Sequence, residues 1–177
     1  MIVFLDTETT GLCPGQICQL AMVKVNNDKL TAYNQFFKVE YVDYRAEQVH
    51  GFSVDRLRFL SKGKKFEDCI GDISEFLKGA DIISGYNVPF DLRFLTTELE
   101  RCRKFLPDTK IVDVMRAKGV KGKLTAMIES YNIKEETERI VEELFGELSG
   151  AHDARFDTVA TMILSDKVGA IKEGVLC

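Results

Sequence analysis

The chain has 177 residues, 45% of them hydrophobic and 29% charged, with a formal net charge of −4. That length suits a single domain over residues 1–177, and the composition is that of an ordinary soluble globular protein. The acidic balance excludes a broad electrostatic grip on a polyanion, and no apolar run approaches the roughly 20 residues that cross a bilayer.

Residues 2–5 form a continuous apolar run, the pattern of a strand buried on both faces. No basic leader precedes it and no small-residue cleavage site follows, so no signal peptide is expected and the cytoplasm is the expected location. Residues 16–25 and 30–39 flank Asn26-Asn27-Asp28, a polar turn between two strand-like runs, which reads as a hairpin. After Tyr44 the period lengthens. Phe66, Ile70, Ile73 and Leu77 recur at three and four, predicting a helix that ends near Gly79. Residues 81–85 predict another buried strand, and Phe90, Phe94, Leu95, Leu99 and Cys102 the next helical stripe. A fifth strand over 110–114 follows, then short helices over 124–128 and 140–144. A last helix carries Val159, Ile163 and Leu164.

This order gives an α/β fold, a mixed sheet covered by helices, with the site expected beyond the carboxyl ends of the strands. The five cysteines (Cys13, Cys18, Cys69, Cys102 and Cys177) form no C-x-x-C pair, and the chain has two histidines. Free thiols are therefore expected rather than a zinc cage. Cys177 ends the sequence, so it is not expected to be the cysteine of a prenylation signal. Lys62/Lys64/Lys65, Arg101/Arg103/Lys104 and Lys118/Lys121/Lys123 are local basic clusters, each expected to be solvated surface.

Three segments carry chemistry. Asp6-Thr7-Glu8 follows the first strand, and residues two apart on an extended chain point to one face, so both carboxylates can converge on a hard cation. The polar turn Thr9-Thr10-Gly11-Leu12 comes next, with backbone N–H groups suited to a phosphate or a terminal hydroxyl and Gly11 permitting close approach. In Asn87-Val88-Pro89-Phe90-Asp91 a strand enters a helix, with Pro89 and Asp91 in its first turn. There Asp91 is either a ligand or a complement to the helix dipole. In Ala151-His152-Asp153-Ala154-Arg155-Phe156-Asp157, a loop His152 ahead of a helix capped by Asp153 brings His152 near Asp157. Histidine is the natural general base near neutral pH. Tyr86, Phe90 and Phe94 beside these motifs suit base stacking, while Phe90 and Phe94 also fit the helix core stripe.

Together these segments resemble the DEDD exonuclease superfamily in its histidine branch, the family of bacterial DNA polymerase III proofreading subunits. Phe4-Leu5-Asp6-Thr7-Glu8-Thr9-Thr10-Gly11-Leu12 is similar to the first family motif and Asn87-Val88-Pro89-Phe90-Asp91 to the second. His152 followed by Asp157 is similar to the third, and Val49-His50-Gly51-Phe52-Ser53 resembles a further family segment to which no chemistry is assigned. The resemblance implies a ribonuclease H-like five-stranded mixed sheet. It implies that Asp6, Glu8, Asp91 and Asp157 hold two Mg²⁺ or Mn²⁺ ions, with His152 as general base. Thr9, Gly11, Leu12, Asn87 and Phe90 are the candidate substrate-binding residues.

The implied reaction is 3′→5′ hydrolysis of nucleic-acid ends to nucleoside 5′-monophosphates. DNA is favoured, and RNA trimming or oligoribonucleotide clearance is the alternative. A polymerase is a candidate partner, although residues 169–177 carry nothing like the tail that tethers proofreading subunits. A catalytically silent binding module would be expected to lack one or more of the five motif residues, and all five are present. Without metal, four clustered carboxylates repel one another, so the metal-free site is expected to be loose or partly protonated.

Overall fold

The computed structural model describes residues 1–12, 15–27, 29–147 and 149–171. Cys13, Cys177 and the Asp28 of the predicted turn lie outside these.

Strand β1 (Ile2–Thr9) is flanked on one side by the antiparallel pair β2 (Ile17–Asn26) and β3 (Lys29–Phe36). On the other side lie β4 (Ile82–Gly85) and β5 (Lys110–Asp113), both parallel to it, giving the order β3-β2-β1-β4-β5. The expected five-stranded mixed sheet is thus present. β1 is central and buried on both faces, which is why its first half reads as an unbroken apolar run.

Its odd-numbered side chains, Val3 and Leu5, enter a core with Leu20 and Met22 of β2. That core is closed by Ile73 and Leu77 of α3 (Ile70–Leu77) and by Leu95 and Leu99 of α4 (Val88–Arg101). On the opposite face Phe4 and Val23 meet Val141 of α6 (Lys134–Phe145), Met127 and Ile128 of α5 (Leu124–Ser130), and Phe156, Val159, Ile163 and Leu164 of α7 (Ala154–Val168). Burying each such side chain contributes about 1.5–3 kcal/mol. A third, smaller cluster packs α1 (Tyr44–His50) and α2 (Val54–Leu60) against Cys18, Phe36 and Phe52 at the carboxyl end of β1.

Several expectations shift at their edges. β1 continues through Thr9, so Asp6, Thr7 and Glu8 lie within the strand rather than after it. β3 stops at Phe36 because the chain then turns to cover the strand ends; Phe37 N–H still donates to the Cys18 carbonyl at 2.8 Å. The helix predicted from Phe66 opens as a 3₁₀ turn over Phe66–Cys69 before α3 begins. The second short helix, expected over 140–144, extends over Lys134–Phe145. α1 and α2 were not legible, being seven residues each.

Gly85 ends β4 where a β-carbon would stand 2.8 Å from the Leu5 carbonyl oxygen, so only glycine lets β4 lie so close to β1. Cys18, Cys69 and Cys102 are free thiols, and no helix among the described residues is long and apolar enough to cross a membrane.

Candidate active site

The carboxyl end of β1 carries the acids. Asp6 and Glu8 share the α7-facing side of the strand, where Asp157 projects from the first turn of α7. Carboxylate oxygens of these three residues lie within 4.8 Å of one another. Thr7 points to the opposite face, towards α4. Its N–H and hydroxyl both donate to Asp91 Oδ1, at 2.9 and 2.7 Å. Asp91 lies in the first turn of α4 as expected, and it is fully engaged with the strand rather than only facing a helix dipole. It stands outside the three-acid cluster but close enough to Asp6 to act on it electrostatically.

Burial and like charge act together here. Desolvation, then the charges of Asp91, Asp157 and Glu8, hold the Asp6 carboxyl well above its usual range. Glu8 is pushed up to about 9 by burial first and by Asp157 and Asp153 next. Burial raises Asp157 to about 7 against the hydrogen bond from the His152 N–H, and raises Asp91 to about 7 against its bonds from Thr7. In the absence of cations these groups are therefore partly protonated near neutrality.

His152 precedes α7 in a left-handed conformation (φ 64°), and its backbone N–H reaches Asp157 Oδ2 at 3.3 Å. Its imidazole side is exposed, and the residue lines a cavity of about 630 Å³ with Asp6, Tyr86, Asn87, Lys123 and Asp157. Asp153 caps α7, as expected, by accepting from Arg155 N–H at 3.0 Å.

A second cavity of about 510 Å³ is lined by Thr7 and Glu8. Thr9, Gly11, Leu12, Arg45, His50 and Phe90 contribute to its wall. Of the five candidate substrate-binding residues, Thr9, Gly11, Leu12 and Phe90 thus share one cavity and Asn87 borders the other. The Thr9 hydroxyl is spent on the Gly11 carbonyl (3.1 Å), while Leu12 is 75% exposed. Phe94 is core, whereas Phe90 stays half-buried against it with ring centres 5.1 Å apart. Gly11 permits close approach to Asp43, whose Cβ would stand 3.3 Å from an added β-carbon.

Four supporting residues escaped the sequence reading. Thr7 clamps Asp91. Asp113 accepts from Asn87 N–H at 2.8 Å, fixing the left-handed Asn87 (φ 60°) that starts α4. His50 accepts from Phe52 N–H at Nδ1 (3.0 Å), leaving its Nε2–H to donate to the Thr9 carbonyl (3.2 Å). Burial lowers its pKa, which favours this neutral tautomer. Gln19, wholly buried, joins β2 to the start of α7. The readable signals were Asp113 at the carboxyl end of a predicted strand and Gln19 as an amide set among apolar residues of a predicted strand.

Comparison with known proteins agrees with this geometry. The RNase T-type exonuclease family matches residues 3–164. The chain is 31% identical over 118 residues to the DNA polymerase III subunit epsilon of Rickettsia conorii, covering 63% of this chain and 49% of that protein. It is 27% identical over 143 residues to the 3′-5′ exonuclease DinG of Bacillus subtilis, covering 75% of this chain and 15% of that one. The chain spans about half the length of the epsilon subunits it matches. Among solved structures, Escherichia coli exonuclease I in complex with a dT13 oligonucleotide superposes with a TM-score of 0.68 at 21% identity, covering 97% of this chain and 41% of that one. That likeness shows the ribonuclease H-like exonuclease fold. The chain belongs to the exonuclease family, in the DEDD group that includes the epsilon subunits.

Proposed function

We propose that this chain is a metal-dependent 3′→5′ exonuclease of the histidine branch of the DEDD superfamily, removing nucleoside 5′-monophosphates from nucleic-acid ends, DNA in preference to RNA. The observation that carries this reading is the convergence of Asp6, Glu8 and Asp157 within 4.8 Å at the end of the central strand, with Asp91 beside them. The donor set is carboxylate oxygen throughout, without thiol or amine, which fits hard divalent cations such as Mg²⁺ or Mn²⁺. The upward pKa shifts point the same way, since buried carboxylates that repel one another are satisfied by positive charge. Two such cations, held by Asp6, Glu8, Asp91 and Asp157, would neutralise the scissile phosphate and acidify the attacking water.

The chain's own residues have separate tasks. His152, exposed beside Asp157, accepts the proton of that water. Water oxygen bonds to phosphorus, the bond from phosphorus to the preceding 3′-oxygen breaks, and that oxygen takes a proton from solvent, so the shortened strand leaves with a free 3′-hydroxyl. Thr7 holds Asp91 still through two hydrogen bonds. The cavity walled by Thr9, Gly11, Leu12 and Phe90 receives the terminal nucleoside, with Leu12 and Phe90 against the base. Asn87 borders the cavity that takes the neighbouring phosphate.

DNA is favoured because the relatives named above are DNA polymerase subunits and the superposed neighbour binds a deoxyoligonucleotide. A polymerase is accordingly the candidate protein partner. A 5′-labelled single-stranded DNA and its RNA counterpart, incubated with Mn²⁺, test this reading. Stepwise shortening from the 3′ end, faster on DNA, is expected. Release of the label as a mononucleotide at the outset, or no shortening of either strand, would overturn it.

A further inference from the structure

Gln19 is a fully buried amide near the start of β2, in register with Glu8 on the adjoining strand. Paired residues of antiparallel strands share a face, so Gln19 lies on the side that α7 covers. Its Nε2 donates to Asn34 Oδ1 on β3 and to Asp153 Oδ1 at the cap of α7, both at 3.0 Å. Its Oε1 accepts the Ala154 N–H at 3.1 Å. One side chain therefore joins β3, β2 and the start of α7. Asp153 is gripped from the other side by Arg155, whose Nε and Nη2 donate to it at 2.9 and 2.8 Å and whose Nη1 donates to Glu147.

We infer that Gln19 is a positioning residue for the proposed reaction, fixing where α7 begins and thereby where His152 and Asp157 stand; this rests on the function proposed above. His152 is bonded to the very residue that Gln19 holds, and its left-handed backbone is what turns its N–H to Asp157. Moving the cap by one residue would turn the helix by about 100° at 3.6 residues per turn, carrying Asp157 away from Asp6 and Glu8. The amide is the group this place requires, because it donates to the Asp153 carboxylate and accepts from Ala154 at once. A carboxylate could only accept, and an apolar side chain could do neither.

Gln19→Met, of nearly equal volume, removes all three bonds. Hydrogen exchange of the 152–154 amides is expected to quicken. In steady-state assays kcat should fall about tenfold, as for loss of roughly 1.4 kcal/mol, with KM nearly unchanged. Because part of the effect of Gln19 runs through His152, Gln19→Met should cost less when added to His152→Ala than when made in the wild type. Unchanged amide exchange, or an equal loss in both backgrounds, would overturn the inference. If the wild type itself cuts no nucleic acid, the functional reading fails, while the exchange measurement still decides whether Gln19 holds the loop. If Gln19→Met does not fold, Asn34→Ala removes only the outer partner from half-buried β3 and must show the same signs at smaller size; no change in exchange there would also overturn the inference.

Discussion

Asp6 and Glu8 leave the same face of β1, and α7 delivers Asp157 to meet them, so three negative charges compete for one poorly solvated space. The raised pKa of such a group carries a definite sign. The fold favours protonated Glu8 over ionised Glu8 when no cation is bound. Its contribution to stability is therefore complete below its ordinary value of 4.5 and lost as pH rises towards about 9. Asp91 and Asp157 act in the same direction between 3.8 and about 7. Chelated protein should accordingly melt at falling temperature across that window. Added Mn²⁺ should reverse the trend, with a larger gain at higher pH, because cations bind the ionised groups. Melting curves in chelator and in Mn²⁺ check this, and a flat chelated series would contradict it. Replacing one acid by its amide separates stability from activity. Asp6→Asn should raise the stability of chelated protein at neutral pH by about 1–2 kcal/mol while abolishing turnover and most of the Mn²⁺-induced shift. Destabilisation of the chelated variant in urea titration would contradict it.

The strands that position these acids were largely visible in the amino-acid pattern, because the first half of β1 and the brief β4 beside it are apolar and lie inside the sheet. The hairpin was visible through its polar turn. What stayed hidden has physical reasons. α1 and α2 are too short to show a full amphipathic period, and they are held by caps, Asp43 and Ser53, and by the cluster around Phe52. Asp6 and Glu8 were placed after the strand because an apolar run ends at Leu5. Pairing continues because Asp6 lies opposite Ala21 and Glu8 opposite Gln19 in a ladder that polar residues can share. Spacing on one chain could suggest that Asp6 and Glu8 converge and that His152 lies near Asp157. It could not show that Thr7 would hold Asp91 on the facing helix α4, or that Gln19 would reach α7. Those contacts join residues 84 and 135 positions apart. The join of β1 to β4 is equally unforgiving. Gly85→Ala should cost about 1–3 kcal/mol by forcing a methyl against the Leu5 carbonyl and Val88. Denaturant unfolding would measure that, and an unaltered midpoint would show that the two strands can part without loss.

A net charge of −4 on a nucleic-acid enzyme is reconciled by where the charges sit. Lys65 pairs with exposed Glu67, as solvated surface should, and half-exposed Arg101 pairs with buried Glu98. Lys123, in contrast, lines the cavity shared by Asp6, His152 and Asp157, and Lys118 and Lys121 are exposed on the same loop. Replacing all three with alanine should weaken oligonucleotide binding. At roughly 0.7 per phosphate contact on a single strand, the slope of log affinity against log salt should fall by about 2. An unchanged slope would return this loop to ordinary surface. The measurement that bears most directly on the whole is strand shortening by the wild type and His152→Ala, side by side on 5′-labelled single-stranded DNA with Mn²⁺, both verified as folded. A 3′→5′ ladder from the wild type, slowed about 10²–10⁴-fold in the variant, is the expected result. A variant as fast as the wild type would contradict the role given to His152, and a folded wild type that shortens nothing would contradict the exonuclease itself.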